Sequence, residues 1–125
     1  MFNFLLVAIG GAAGASARYG LSLAMAARSE AWPWATFTIN VAGSLLIGAL
    51  GGWLATRGDA GEPWRLLLGV GVLGGFTTFS AYSLETVRLI ERGDYAGAAI
   101  YSAGSVIAGL VAVGVGLALA KRVLG

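Results

Sequence analysis

Gly74-Gly75-Phe76-Thr77-Thr78-Phe79-Ser80-Ala81-Tyr82-Ser83 sets two adjacent glycines and five hydroxyl side chains inside an apolar run from about Trp64 to Ile90. An uninterrupted membrane helix has little use for such a stretch. Backbone that leaves the helix at membrane depth persists only where protein buries it or where it lines a cavity. The expectation is a helix broken in mid-span, with carbonyls and amides released there as at the half-helix ends of transporters. A kinked helix without a function is the competing reading.

Three further apolar segments lie around this one, from about Phe2 to Ala27, Ala35 to Thr56 and Tyr95 to Ala120. Each exceeds the roughly 20 residues that cross a hydrocarbon core, and none alternates as a strand would. Trp32-Pro33-Trp34, Arg57-Gly58-Asp59-Ala60-Gly61-Glu62-Pro63 and Glu91-Arg92-Gly93-Asp94 punctuate them with interfacial aromatics and turn residues. The chain is 58% hydrophobic and 11% charged, with mean hydropathy +0.82; a soluble domain carries about 25% charged residues. The fold class expected is an all-α integral membrane protein. It forms one domain over residues 1–125, with spans at approximately 2–27, 35–56, 64–90 and 95–120.

Composition also excludes. Cysteine and histidine are absent, which removes disulfides, thiolate chemistry and the commonest transition-metal ligands. The basic residues are scattered singly, so the net charge of +2 does not make a nucleic-acid surface. Met1 to Ile9 carries no basic stretch, so the first segment is expected to be a span and not a cleaved signal. No nucleophile stands with a base and no nucleotide loop is present, so the chain does not read as an enzyme.

Among the 21 glycines, Gly10 and Gly14 form a GxxxG step, and Gly43, Gly48, Gly51 and Gly52 punctuate the second segment. Small residues at this spacing let helices approach closely in lipid. Four short helices make a thin bundle, and self-association is expected. Both termini of such a chain share a side with Arg57, Arg65, Lys121 and Arg122, against Arg28, Arg88 and Arg92 on the other. That balance is almost no bias under the positive-inside rule. It predicts dual topology, with the same chain inserted both ways and paired antiparallel.

Polar groups inside spans need a partner or a job. Arg18 is either a snorkelling side chain or a cation of a water-filled vestibule that gathers anions. Asn40 either bonds across to a neighbouring helix or belongs to a lined pathway with Thr36 and Ser44, which stack with it on one face. Tyr101 and Ser105 also share a face, and an ordinary interhelical hydrogen bond would explain them alone. Glu85 is the one carboxylate well inside a span and either pairs with a cation or sits near a vestibule. Asn40, Thr78, Ser80, Ser83, Tyr101 and Ser105 form a donor-rich set beside aromatic rings, whose edges are electropositive. Such a set suits an anion.

Gly10-Gly11-Ala12-Ala13-Gly14-Ala15-Ser16-Ala17-Arg18-Tyr19, Thr36-Phe37-Thr38-Ile39-Asn40-Val41-Ala42-Gly43-Ser44 and Gly74-Gly75-Phe76-Thr77-Thr78-Phe79-Ser80 resemble the Fluc (CrcB) family of small fluoride channels. The resemblance covers essentially the whole chain. It implies an antiparallel dual-topology homodimer with two fluoride pores in a bacterial cytoplasmic (inner) membrane, exporting fluoride passively and conferring resistance to it. It would place Phe79 and Asn40 against the ion, with Ser80, Tyr101 and Ser105 along a polar track, Glu85 near one end and Arg18 in a vestibule. A structural Na+ at the dimer centre would be held by the backbone carbonyls of Gly74 and Thr77. Tyr82 stands where the family has its second pore phenylalanine, and its hydroxyl either competes for the ion or bonds to it; Ala81 replaces a threonine, and Gly109 and Val111 replace frequent hydroxyls. Thr36 and Ser83 complete the candidate pore set, and no protein partner beyond a second copy is implied. The alternative is a proton-coupled exporter of the small multidrug-resistance type. That mechanism needs a carboxylate deep in the first span, where this chain has only Arg18. A non-transporting assembly protein would explain the glycines, but not the stacked donors.

Overall fold

The computed structural model describes residues 1–124, and the described residues are all helix and short connections. Helix α1 spans Phe2–Ala24 and α2 spans Trp34–Leu54. Helix α3 covers residues 62–76, beginning as Glu62–Trp64, widening to π-helix over Arg65–Leu73 and closing with Gly74–Phe76. Thr77 and Thr78 are extended, with ψ of 156° and 117°. Helix α4 then runs over Phe79–Glu91 and α5 over Tyr95–Leu124. Four helical segments are long and apolar enough to cross a membrane, with residues 58–91 counted as one. Apolar side chains such as Phe4, Ile107 and Leu110 face outwards, the reverse of a protein that must dissolve in water.

The connections are stitched by short-range polar bonds. The Ser29 hydroxyl donates to the Met25 carbonyl at 2.9 Å and accepts from the Ala35 amide at 3.0 Å, joining the end of α1 to the start of α2. Arg92, beyond the end of α4, donates to the carbonyls of Glu30 and Ala31 in that same connection. Gly93 turns the chain at φ 78°, a conformation that costs a residue with a Cβ. Asp94 then caps α5 by accepting the Gly97 amide at 2.9 Å.

Two pairings organise the bundle: α1 lies along α3, and α2 lies along α5, with α4 also packed on α5. Glycine decides both. A Cβ on Gly10 would overlap the Leu67 carbonyl oxygen and one on Gly14 that of Val72, while Gly71 and Gly75 answer from α3 against Gly10 and Gly11. On the other side Gly48 lies against the Val113 carbonyl and Gly116 against that of Leu45. Lipid supplies no hydrophobic force between helices, so such close backbone approach is the way they hold together.

The helix ends differ in detail from the expected spans. Helix α1 stops at Ala24, and a 3-10 turn over Ala27–Ser29 takes up the remainder. Helix α5 continues through Lys121 and Arg122, whose long stems let the charge reach a headgroup from a helical backbone.

Candidate functional site

The extended step at Thr77 and Thr78 leaves backbone groups that the helix no longer satisfies, and two spans reach in to meet them. From α2, the Asn40 carboxamide accepts the Thr78 amide at 2.9 Å and donates to the Thr78 carbonyl at 3.0 Å. From α1, Arg18 Nε donates to the Gly75 carbonyl at 3.1 Å. That contact sets a cation on the C-terminal end of α3, where the helix dipole is negative. Thr78 itself caps α4, its hydroxyl accepting the Ala81 amide at 3.1 Å. Asn40 therefore acts first as a splint for the backbone. It keeps one of its two N–H groups for something else.

An open groove of about 410 Å³ lies beside this step, lined among others by Asn40, Ser44, Thr78, Phe79, Tyr82 and Ser105. Phe79 is 79% exposed on the single chain, so its ring is free to face the groove. The Ser105 hydroxyl is the opposite case, since its oxygen is buried and has no hydrogen-bond partner among the described residues. A buried donor without a partner costs free energy unless something arrives to accept from it.

Beyond Tyr82 the polar line continues. The Phe79 and Tyr82 rings are 5.6 Å apart, and those of Tyr82 and Tyr101 are 5.4 Å apart. Tyr101 is fully buried, and its hydroxyl donates to one Glu85 oxygen at 2.9 Å while Thr36 donates to the other at 2.9 Å. Glu85 and Thr36 in turn line a second cavity of about 350 Å³ at the end of the bundle, with Trp32, Arg88, Glu91 and Arg92. The groove and this cavity are thus joined by two tyrosine rings and a carboxylate held by two hydroxyls.

The residues singled out in sequence divide accordingly. Asn40, Phe79, Tyr82 and Ser105 share the groove, while Thr36 and Glu85 share the second cavity with Tyr101 behind them. Ser80 is exposed in the first turn of α4, 3.3 Å from the Thr78 hydroxyl, and Ser83 is half-buried on the same helix; neither lines the groove. Arg18 lines neither cavity and is engaged with Gly75 instead. Gly74 and Thr77 line the groove's edge, and their carbonyls accept no hydrogen bond among the described residues. Sequence reasoning left out the Thr78 peptide group and the Ser102 carbonyl, which accepts from Tyr82 at 2.9 Å. Backbone acceptors carry no sequence signal, but Thr78 ahead of an apolar helix has the form of an N-cap.

Comparison with known proteins agrees in one direction. Residues 5–117 match the family described as CrcB-like protein, Camphor Resistance (CrcB). The chain is 57% identical over 125 residues to the fluoride-specific ion channel FluC of Phenylobacterium zucineum, covering 98% of each chain. It is 55% identical over 120 residues to the protein of the same name from Novosphingobium aromaticivorans, covering 94% of each. It is 50% identical over 125 residues to that of Caulobacter vibrioides, again over 98% of each.

Proposed function

This chain belongs to the CrcB family, and from that membership together with the groove we infer that it is a fluoride-selective channel of the membrane and not an enzyme. The observation that carries the location of the path is the unpartnered Ser105 hydroxyl, buried in one groove with the Asn40 carboxamide and the exposed Phe79 ring. Fluoride holds its water strongly, so a pore must replace that shell with donors and offer no site deep enough to trap the ion. Ser105 and the spare N–H of Asn40 are such donors, and the Phe79 edge presents a weak positive rim that sheds water. In a low dielectric these donors act more strongly than they would in water. The ion then passes the Tyr82 and Tyr101 rings towards the cavity of Thr36 and Glu85. Ser80 and Ser83 stand outside the groove on the single chain and extend the donor series along α4 where a second copy closes over it, and Arg18 contributes positive potential from the far side of the step. Chloride is larger and fits poorly. A proton-coupled exporter of cations has no support in the first span, which has no carboxylate and whose one charged side chain is Arg18.

The groove is open on the single chain, and a second copy closes it. Two copies pair antiparallel in the bacterial inner membrane, one inserted each way, and give two pores; the near-even distribution of basic residues between the two sides supports this pairing. The third span is broken at membrane depth by Thr77 and Thr78, and the carbonyls of Gly74 and Thr77 are the group suited to a structural Na+ between the copies. Their fit rests on donor chemistry: a hard cation takes carbonyl oxygens, and among the described residues these carbonyls have no hydrogen-bond partner and no cluster of acidic or imidazole ligands competes with them. A bound Na+ would tie the two broken spans together.

The function is tested with purified protein in liposomes, following fluoride and chloride efflux by ion-selective electrodes under a valinomycin-set potential. Fast fluoride release with chloride retained is expected. No fluoride release from folded protein would refute the reading.

A further inference from the structure

The family resemblance leaves the Tyr82 hydroxyl two roles, competitor for the ion or ligand to it, and the geometry points to neither. The hydroxyl donates to the Ser102 carbonyl on α5 at 2.9 Å. A phenol has one hydrogen to give, and a helical carbonyl has a second lone pair to receive it. Bonding the ion would leave that contact broken.

The bond has a counterpart. Tyr82 reaches from α4 to α5, and Tyr101 reaches back from α5 to Glu85 on α4 at 2.9 Å. Their rings lie 5.4 Å apart between the two bonds. At its far end α4 has the apolar contact of Leu89 with Ala98 and Tyr101. Near the groove it has Tyr82. We propose that Tyr82 is a positioning residue of the conduction path: its hydroxyl clamps the first turns of α4 onto α5, fixing the Phe79 and Tyr82 rings opposite Ser105 without donating to the ion. The proposal rests on the conduction reading above, and it goes beyond it by assigning the hydroxyl to a helix-to-helix latch.

The test is Tyr82→Phe, which keeps the ring and removes only the hydroxyl. Fluoride efflux from liposomes is measured against fluoride concentration, with chloride efflux in parallel. Loss of one buried hydrogen bond that holds the geometry predicts a maximal rate lower by about three- to tenfold. Half-saturation and the fluoride-to-chloride ratio stay as in the wild type. In a second readout, 3-fluorotyrosine placed at position 82 keeps its 19F resonance unmoved as fluoride is titrated. A raised half-saturation, or a resonance that follows the ion, would make the hydroxyl a ligand and overturn the assignment. An unchanged rate would make it idle and overturn it equally. A silent wild type refutes the conduction reading itself, and the latch with it, before the variant is considered.

Discussion

The third span meets its neighbours in two unlike ways. Helix α3 lies on α1 backbone to backbone, with Gly71 and Gly75 against Gly10 and Gly11 and no room for a methyl group on Gly10, Gly71 or Gly75. Helix α4, a few residues later in the same span, meets α5 through side chains: Tyr82 to Ser102, Tyr101 to Glu85, and the ring series from Phe79 to Tyr101. The first contact is packed backbone against backbone. The second leaves a groove of about 410 Å³ with a hydroxyl unpaired in it. The lesson is a division of labour within one span. The glycine seam fixes where the extended step sits, and the side-chain contact beyond it spends stability to keep donors available.

The largest effect is expected from a substitution on the glycine seam. Gly14→Leu drives a side chain into the Val72 carbonyl and the Phe76 amide, and overpacking against backbone cannot be relieved by a rotamer change. The expected loss exceeds about 4 kcal/mol, beyond what most single substitutions cost. Size-exclusion chromatography of the purified variant should show aggregated or absent protein; a normal profile would mean that the seam is looser than described.

Asn40→Ala comes next, and it acts on both regions. It orphans the amide and the carbonyl of Thr78 at a cost of roughly 1–3 kcal/mol for each buried group, and it removes a donor from the groove. The expected result is a lowered melting temperature and lost fluoride flux in a chain that still pairs. Normal flux would take Asn40 out of the mechanism.

The four spans were legible in sequence because hydropathy alone decides what lipid can hold. The shared face of Thr36, Asn40 and Ser44 was legible as well, since a helix repeats its faces every third or fourth residue. The partners of those side chains were not. Nothing in the sequence says that Asn40 bonds to the peptide of Thr78, or that Arg18 turns to the Gly75 carbonyl, because a backbone acceptor looks the same at every residue. The π-helical winding of Arg65–Leu73 was equally hidden. Its residues Arg65-Leu66-Leu67-Leu68-Gly69-Val70-Gly71-Val72-Leu73 are too uniformly apolar to show a period. Glycine spacing indicates that helices approach closely, but not which ones; the pairing of α1 with α3 had to come from the fold.

The smallest expected effect on stability separates the two regions most cleanly. Ser105→Ala removes a buried hydroxyl that has no partner, so the folded chain loses nothing and the melting temperature should hold or rise slightly. Fluoride flux should fall several-fold in the same variant. A drop in melting temperature with flux intact would make Ser105 an ordinary packing residue.

Phe79→Ala removes the ring on which the conduction path depends. Its ring is 79% exposed on the single chain, so its removal should leave the protomer's fold intact. With liposome efflux and thermal unfolding measured on one preparation, the account predicts an unaltered fold and a fluoride flux reduced at least about tenfold, equivalent to about 1.4 kcal/mol in the barrier. Wild-type flux from that variant would contradict it and place the path elsewhere in the bundle.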